Sequence, residues 1–385
     1  RDVAPSRGLG DVYKRQDLNN EEWTPIGKSG ATFKGTFDGN GKTISNLKIS
    51  GTTDNTAANN YRGLFGTTES PATVKNFTIY NAEVSGSLYV AAAVGMPYTG
   101  QVSDITVTGL VKISAWWYTG VIGGNGYASV KNCIVDVTEG SIVSATGSYV
   151  GGIFGFHGEG AIEISDCSSN IDVTGFSYVG GIAGICHYGN TISNCSAVCT
   201  VTKTASVADS DQSDLYGIGG IAGITVDGAQ CRIADCSFKG QLVSALTGEK
   251  AFPHDGIVGC NKGGSVNQTN LVIENCTAEF TLNDGFTYSS TTKVYSISNV
   301  NGLNYFRDSV NAGNRYSGKT VVLTADLDLE GESWTPIGDS VASYPSVAFA
   351  GTFDGQDHTI SNLTTAAERA TNPDTNACLL YTSPS

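Results

Sequence analysis

The stretch Tyr149-Val-Gly-Gly-Ile-Phe-Gly155, with Ile164-Ser-Asp-Cys167 and the alternating pair Ile171 and Val173 behind it, decides the fold. It returns as Tyr178-Val-Gly-Gly-Ile-Ala-Gly184 with Ile192-Ser-Asn-Cys195, and as Tyr216-Gly-Ile-Gly-Gly-Ile-Ala-Gly223 with Ile233-Ala-Asp-Cys236. Looser copies set Gly63-Leu-Phe-Gly66 before Val74-Lys-Asn-Phe77, and Tyr89 to Gly95 before Val102-Ser-Asp-Ile105. Two more run from Tyr118-Thr-Gly-Val-Ile-Gly123 to Val130-Lys-Asn-Cys133 and from Gly256-Ile-Val-Gly259 to Ile273-Glu-Asn-Cys276. A period near 29 residues marks a solenoid, in which each repeat buries its apolar face against its neighbours.

The unit lacks helical spacing. Its apolar residues alternate in steps of two (Ile162 and Ile164, Val135 and Val137) between Gly, Ser, Asn and Asp, which is the pattern of short strands and turns. Three strands of about five residues with three turns fill about 29 residues. A propeller blade needs about 40 residues or more, and a leucine-rich frame is absent. The sequence therefore predicts an all-β chain folded as a right-handed parallel β-helix. Stacking would align Asn76, Asp104, Asn132, Asp166, Asn194, Asp235 and Asn275 at one turn, where such side chains bond nearby backbone and each other. The next position, Phe77, Ile105, Cys133, Cys167, Cys195, Cys236 and Cys276, reads as an inward column of apolar filler.

These Gly-Leu-Phe-Gly and Gly-Gly-Ile-Ala-Gly cores, with their downstream Ile-x-Asn and Val strands, resemble the GLUG-motif repeats of bacterial surface proteins over roughly residues 61–285. The resemblance implies repeat architecture at the cell surface.

The chain has 385 residues, 49 of them Gly, and a net charge of −14. That charge argues against nucleic acid or an anionic membrane as partner. No run of about 18 apolar residues occurs, so no membrane span is expected. Residues 1–16 and 378–385 fit no repeat and resemble translated sequencing-adaptor read-through, which makes the chain an internal fragment. Trp23-Thr-Pro-Ile-Gly27 with Phe33-Lys-Gly-Thr-Phe-Asp38 returns as Trp334-Thr-Pro-Ile-Gly338 with Phe349-Ala-Gly-Thr-Phe-Asp354. We thus expect one array over 17–290 and the start of a second, with a capping helix near Leu303 to Asn311, over 291–377.

The chemistry-bearing patterns are few. Gly39-Asn-Gly-Lys-Thr43 lacks the upstream Gly of a phosphate loop and reads as a turn. The cysteines form no Cys-x-x-Cys pair and read as buried free thiols. Asp209, Asp211 and Asp214 stand in a polar insertion loop over 203–214 and could ligate calcium, but without the Gly and Glu of an EF-hand loop they read better as a solvated loop; deletion of 206–213 is expected to be tolerated. β-helical polygalacturonases resemble this scaffold, yet Phe156-His157-Gly158 lacks the first Gly of their Gly-His-Gly segment, and no Asp-Asp pair or Arg-Ile-Lys appears. His157 and His187, with Glu159, are a metal or acid–base candidate, read otherwise as polar turn residues.

The extended candidate is aromatic. Tyr61, Tyr89, Tyr118, Tyr149, Tyr178 and Tyr216 recur once per repeat and are joined by Trp116 and Trp117. Such a stripe either stacks structurally or binds sugar rings and apolar partners on its faces. The reading that follows is a non-enzymatic extracellular adhesin or rigid spacer, needing no cofactor, whose partner is a host or bacterial glycan or surface protein. The alternative is a carbohydrate-active β-helix enzyme, a polysaccharide lyase or glycoside hydrolase.

Overall fold

Each repeat sends its strands into three sheets, and within each sheet a strand lies parallel to its counterpart in the next repeat. The structure, a computed structural model, describes residues 15–158, 160–187, 189–204, 217–225, 231–244, 256–259, 271–311, 314–338, 348–365 and 379. The described residues are all-β but for the helix Val300–Asn311 and a short 3-10 turn.

The largest sheet begins with long strands, Thr36–Ile49, Thr73–Ser85 and Gln101–Ala115, which later repeats divide into shorter pieces such as Ser129–Lys131, Ile134–Val137 and Ile142–Ala145. A second sheet stacks Leu88–Val90, Trp117–Thr119, Val150–Gly151, Val179–Gly180 and Ile218–Gly219. A third runs from Phe65–Thr68 through Phe154–His157 to Ala222–Thr225. The register is set by the repeat: Val130 faces Val102 and Ile164, and Ile192 faces Ile233. The alternating residues thus form continuous apolar columns. Ile105, Val107, Val130, Ile164, Val173, Ile192 and Val201 are all fully buried. This is β-helix-like stacking, and its parallel strands give one contiguous core.

The glycines turn the chain between the second and third sheets. A Cβ on Gly151, Gly180 or Gly219 would sit 2.1, 2.1 or 2.2 Å from the carbonyl oxygen three residues on. No other residue fits that corner, which explains the Gly-Gly-Ile-Ala-Gly signature.

Parallel winding stops after Thr277–Asn283. That strand pairs antiparallel with Phe286–Ser289, which pairs antiparallel with Val294–Ile297. Parallel order then resumes through Thr320–Leu323 and Thr352–Asp354. The helix Val300–Asn311 caps this switch, burying Gly302, Leu303, Phe306 and Val310 on one face. Asn299 starts it, its side-chain oxygen accepting from the Gly302 N–H at 2.9 Å. Phe306 packs among Phe286, Tyr316, Phe349 and Phe353 at 5.2–6.0 Å. The division expected at 290 therefore falls in a turn of one continuous sheet.

Three sequence assignments change at the residue level. Arg15 and Gln16, given to a foreign tail, pair in parallel with Thr43 and Ile44. Leu379, given to the other tail, accepts from the Ile337 N–H at 2.9 Å and the Trp334 Nε1–H at 3.4 Å, as Leu64 accepts from Ile26 and Trp23. Lys203, placed at the start of a polar loop, ends the strand Ser196–Lys203 and is 1% exposed; residues 205–216 lie outside the described residues.

Candidate functional site

The aromatic residues stand at the corner leading into the second sheet. Tyr61, Tyr89, Tyr118, Tyr149 and Tyr178 all have left-handed backbone, with φ of 61, 64, 58, 69 and 57°. For a residue with a bulky side chain this conformation costs roughly 1–2 kcal/mol. Backbone bonds continue through the corner, with Thr119 N–H donating to the Tyr149 carbonyl and Val150 N–H to that of Tyr178, each at 3.0 Å. The rings then stack from repeat to repeat. Centroids are 5.1, 5.5, 4.9 and 4.8 Å apart and interplanar angles 32, 19, 15 and 26°. Each stacked pair contributes about 0.5–1.5 kcal/mol, enough to offset the backbone strain. Partial burial raises the Tyr89 and Tyr118 hydroxyl pKa above the ordinary value.

Trp117 broadens the ladder. It lies over Gly147, where a Cβ would sit 2.0 Å from its Nε1, and stands 5.8 Å from Tyr118 and 5.7 Å from Tyr149, with Trp116 5.7 Å beyond. The fold therefore unites Tyr89, Trp116, Trp117, Tyr118, Tyr149 and Tyr178, with Tyr61 extending the row. All seven are half-buried.

Two expectations are corrected. Tyr216 lies outside the described residues, and the corner position of its repeat belongs to Gly217 (φ 92°), whose carbonyl accepts from Val179 N–H at 2.7 Å. The Tyr178 ring covers that glycine, 2.9 Å from where a Cβ would be. Moreover, the inner tyrosines do not offer flat faces: Tyr89, Tyr118 and Tyr149 each have a ring on both sides. They present edges, while the indoles flank the row.

The sequence reading missed Phe156, which meets Tyr118 and Tyr149 edge-on at 5.6 and 5.0 Å. The missed signal is its place on the strand Phe154–His157, opposite Asn125 and Ile185. It also missed the exposed pair Tyr98 and Tyr127, edge-to-face at 5.4 Å; Tyr127 rests on Gly158.

The histidines are not brought together as a pair. Register sets His157 opposite Cys186. Its ring is buried, with Nε2 3.1 Å from the Ala128 carbonyl, and burial lowers its pKa to about 4. His187 instead packs on Phe156 at 5.6 Å. Glu159, Asp209, Asp211 and Asp214 lie outside the described residues. Among the described residues no group of three His, Cys, Asp or Glu is set to hold a metal.

A shallow depression of about 750 Å³ on the large sheet gathers Asp104, Glu163 and Asp166. Its carboxylates are engaged. Bonds from Ser103 and Asn132 hold the Asp104 pKa below its ordinary value, Lys131 lies 3.6 Å from Asp166, and Ser193 donates to Glu163 at 3.3 Å. A general acid needs the opposite displacement. The cysteine column is inward as expected: Cys133, Cys167, Cys195 and Cys236 are buried, Cys276 partly so, and all are free. Cys199, opposite Ile171 in register, has its pKa pushed up to about 12 by burial.

No family model matches the chain. Halomucin from Haloquadratum walsbyi is 42% identical over 80 residues, which are 21% of this chain and 1% of halomucin. A crystal structure from Bacteroides ovatus, provisionally described as an immunoglobulin A1 protease, covers 92% of this chain and 77% of its own, at 18% identity and a TM-score of 0.41. No helix among the described residues is long and apolar enough to cross a membrane.

Proposed function

We propose that the chain belongs to an extracellular bacterial surface protein: a right-handed parallel β-helix of GLUG-like repeats serving as a rigid spacer and adhesin. The observation that carries this reading is the unbroken ladder from Tyr61 to Tyr178 with Trp116 and Trp117 at its flank. A ladder of ring edges repeating every 4.8–5.5 Å suits an extended polymer that makes one weak contact per repeat. The ligand we favour is a glycan, with the exposed sides of the indoles supplying the flat apolar contact. The likeness to part of halomucin, a protein whose name marks it as a mucin, supports a surface setting.

The test is a glycan and mucin binding screen on the full chain beside Trp116→Ala/Trp117→Ala. Binding that weakens about tenfold in the variant, with the circular dichroism spectrum retained, is expected from the loss of two stacking contacts of about 0.5–1.5 kcal/mol each. Binding unchanged by the substitutions would remove the strip as the site. Cleavage of a polysaccharide in the same screen would replace the adhesin with the enzyme.

A further inference from the structure

The cysteines form more than a filled space. Five stand on consecutive repeats in one register. Ser165 pairs with Ser193 and Ser168 with Ser196, which sets Cys167 opposite Cys195. Ala234 pairs with Glu274 and Ser237 with Thr277, which sets Cys236 opposite Cys276. The sulfurs lean the same way. Those of Cys167, Cys195, Cys236 and Cys276 lie 4.0, 3.7, 3.7 and 3.5 Å from carbonyl oxygens of the preceding repeat. Ile105 and Phe77 close one end of the column. Cys276, the one partly exposed thiol of the five, opens the other.

What such a column can hold is decided by length. A disulfide brings Cβ atoms to about 3.8 Å, whereas directly opposed residues on parallel strands stand about 4.8 Å apart. Oxidation would have to pinch two repeats together by about 1 Å. Two metal–sulfur bonds of about 2.3 Å placed end to end span about 4.6 Å, which fits the rung without moving it. A tetrahedral ion needs four ligands, and the described residues gather no group of three. Pairs of soft sulfurs select soft cations.

We propose that Cys236 and Cys276 form a two-coordinate site for a soft monovalent cation of the copper(I) class, held between sulfurs of adjacent repeats. On binding, each thiol releases its proton to solvent, two metal–sulfur bonds form and no electron is transferred. The bound pair then carries a single net negative charge, a smaller burden at a half-buried site than two free thiolates.

The experiment is an anaerobic titration of the full chain with copper(I) against a colorimetric copper(I) chelator, with iodoacetamide footprinting read by mass spectrometry. The folded protein should take one equivalent from the chelator and protect Cys276 from alkylation. In Cys276→Ser, at the tolerant open end, affinity for that equivalent should fall by about tenfold or more. Cys260→Ser/Cys378→Ser should bind as the parent does. Failure of the folded parent to compete for copper(I), full binding by Cys276→Ser, or loss of the equivalent in the Cys260→Ser/Cys378→Ser protein would each overturn the site.

Discussion

Two corners of the repeat ask the same thing of the backbone and answer it with opposite chemistry. At the turn before the cysteine column, Asn76, Asp104, Asn132, Asp166, Asn194, Asp235 and Asn275 take φ of 51–62°. At the corner into the second sheet, five tyrosines take 57–69°. Asn and Asp adopt this conformation with little strain. Moreover, they alternate, so that an amide lies between carboxylates: Asn132 donates to Asp104 at 2.7 Å and Asn275 to Asp235 at 3.1 Å. Tyrosine has no such tolerance, and its corner holds because the inner rings are clasped by the rings above and below and the end rings by one neighbour each. One corner is satisfied locally; the other only cooperatively.

The largest expected effect breaks the cooperative corner. Tyr149 touches Tyr118, Tyr178, Phe156 and Trp117. Tyr149→Ala removes these contacts and keeps a strained backbone, so we expect a loss of about 2–4 kcal/mol in denaturant unfolding. Tyr149→Gly should recover about 1 kcal/mol of it, because glycine takes this conformation freely, as Gly217 does naturally. Equal midpoints for the two variants would show that no strain is stored there.

The second effect tests the local corner. Asn194 is exposed, so Asn194→Leu strands no buried polar side chain. The remaining cost is the left-handed backbone, about 1–2 kcal/mol for leucine, while Asn194→Gly should lie within about 0.5 kcal/mol of the parent. If Asn194→Gly unfolds as readily as Asn194→Leu, the amide side chain matters more than the backbone conformation.

These corners also mark what the sequence could say. Alternation and period predicted the strands and the inward cysteines, because each follows from residues within one repeat. The ring faces were not legible, since whether Tyr118 is open depends on what lies on both neighbouring repeats. Nor could sequence distinguish Tyr216 from Gly217 as the corner residue, a one-residue shift that only the bond from Val179 fixes. Lys203 and Leu379 were misjudged by composition, a polar residue and an ill-fitting tail being assigned outward, although strand register buries Lys203 and bonds from Ile337 and Trp334 hold Leu379 against the core.

The smallest effect bears on the alternation itself. Asp104→Asn leaves an amide ladder and should be nearly neutral. Asn132→Asp instead puts three carboxylates in succession, Asp104, the new side chain and Asp166, with Lys131 on Asp166 and Lys75 acting on Asp104. Like charges on adjacent strands repel by roughly 0.2–1 kcal/mol, so its melting temperature at neutral pH should fall by about 1–3 °C. Acid should separate this repulsion from mere geometry. In the parent, hydrogen bonds hold the Asp104 and Asp38 pKa values below the ordinary 3.8. The folded protein thus binds fewer protons than the unfolded chain, and stability present above that pH is lost as pH falls through the folded values. Crowding raises a carboxyl pKa, so Asn132→Asp should gain protons first and close its gap to the parent as pH drops towards about 4. A gap that stays constant from neutral pH to about pH 4 would mean that the Asn–Asp alternation reflects turn geometry and not charge.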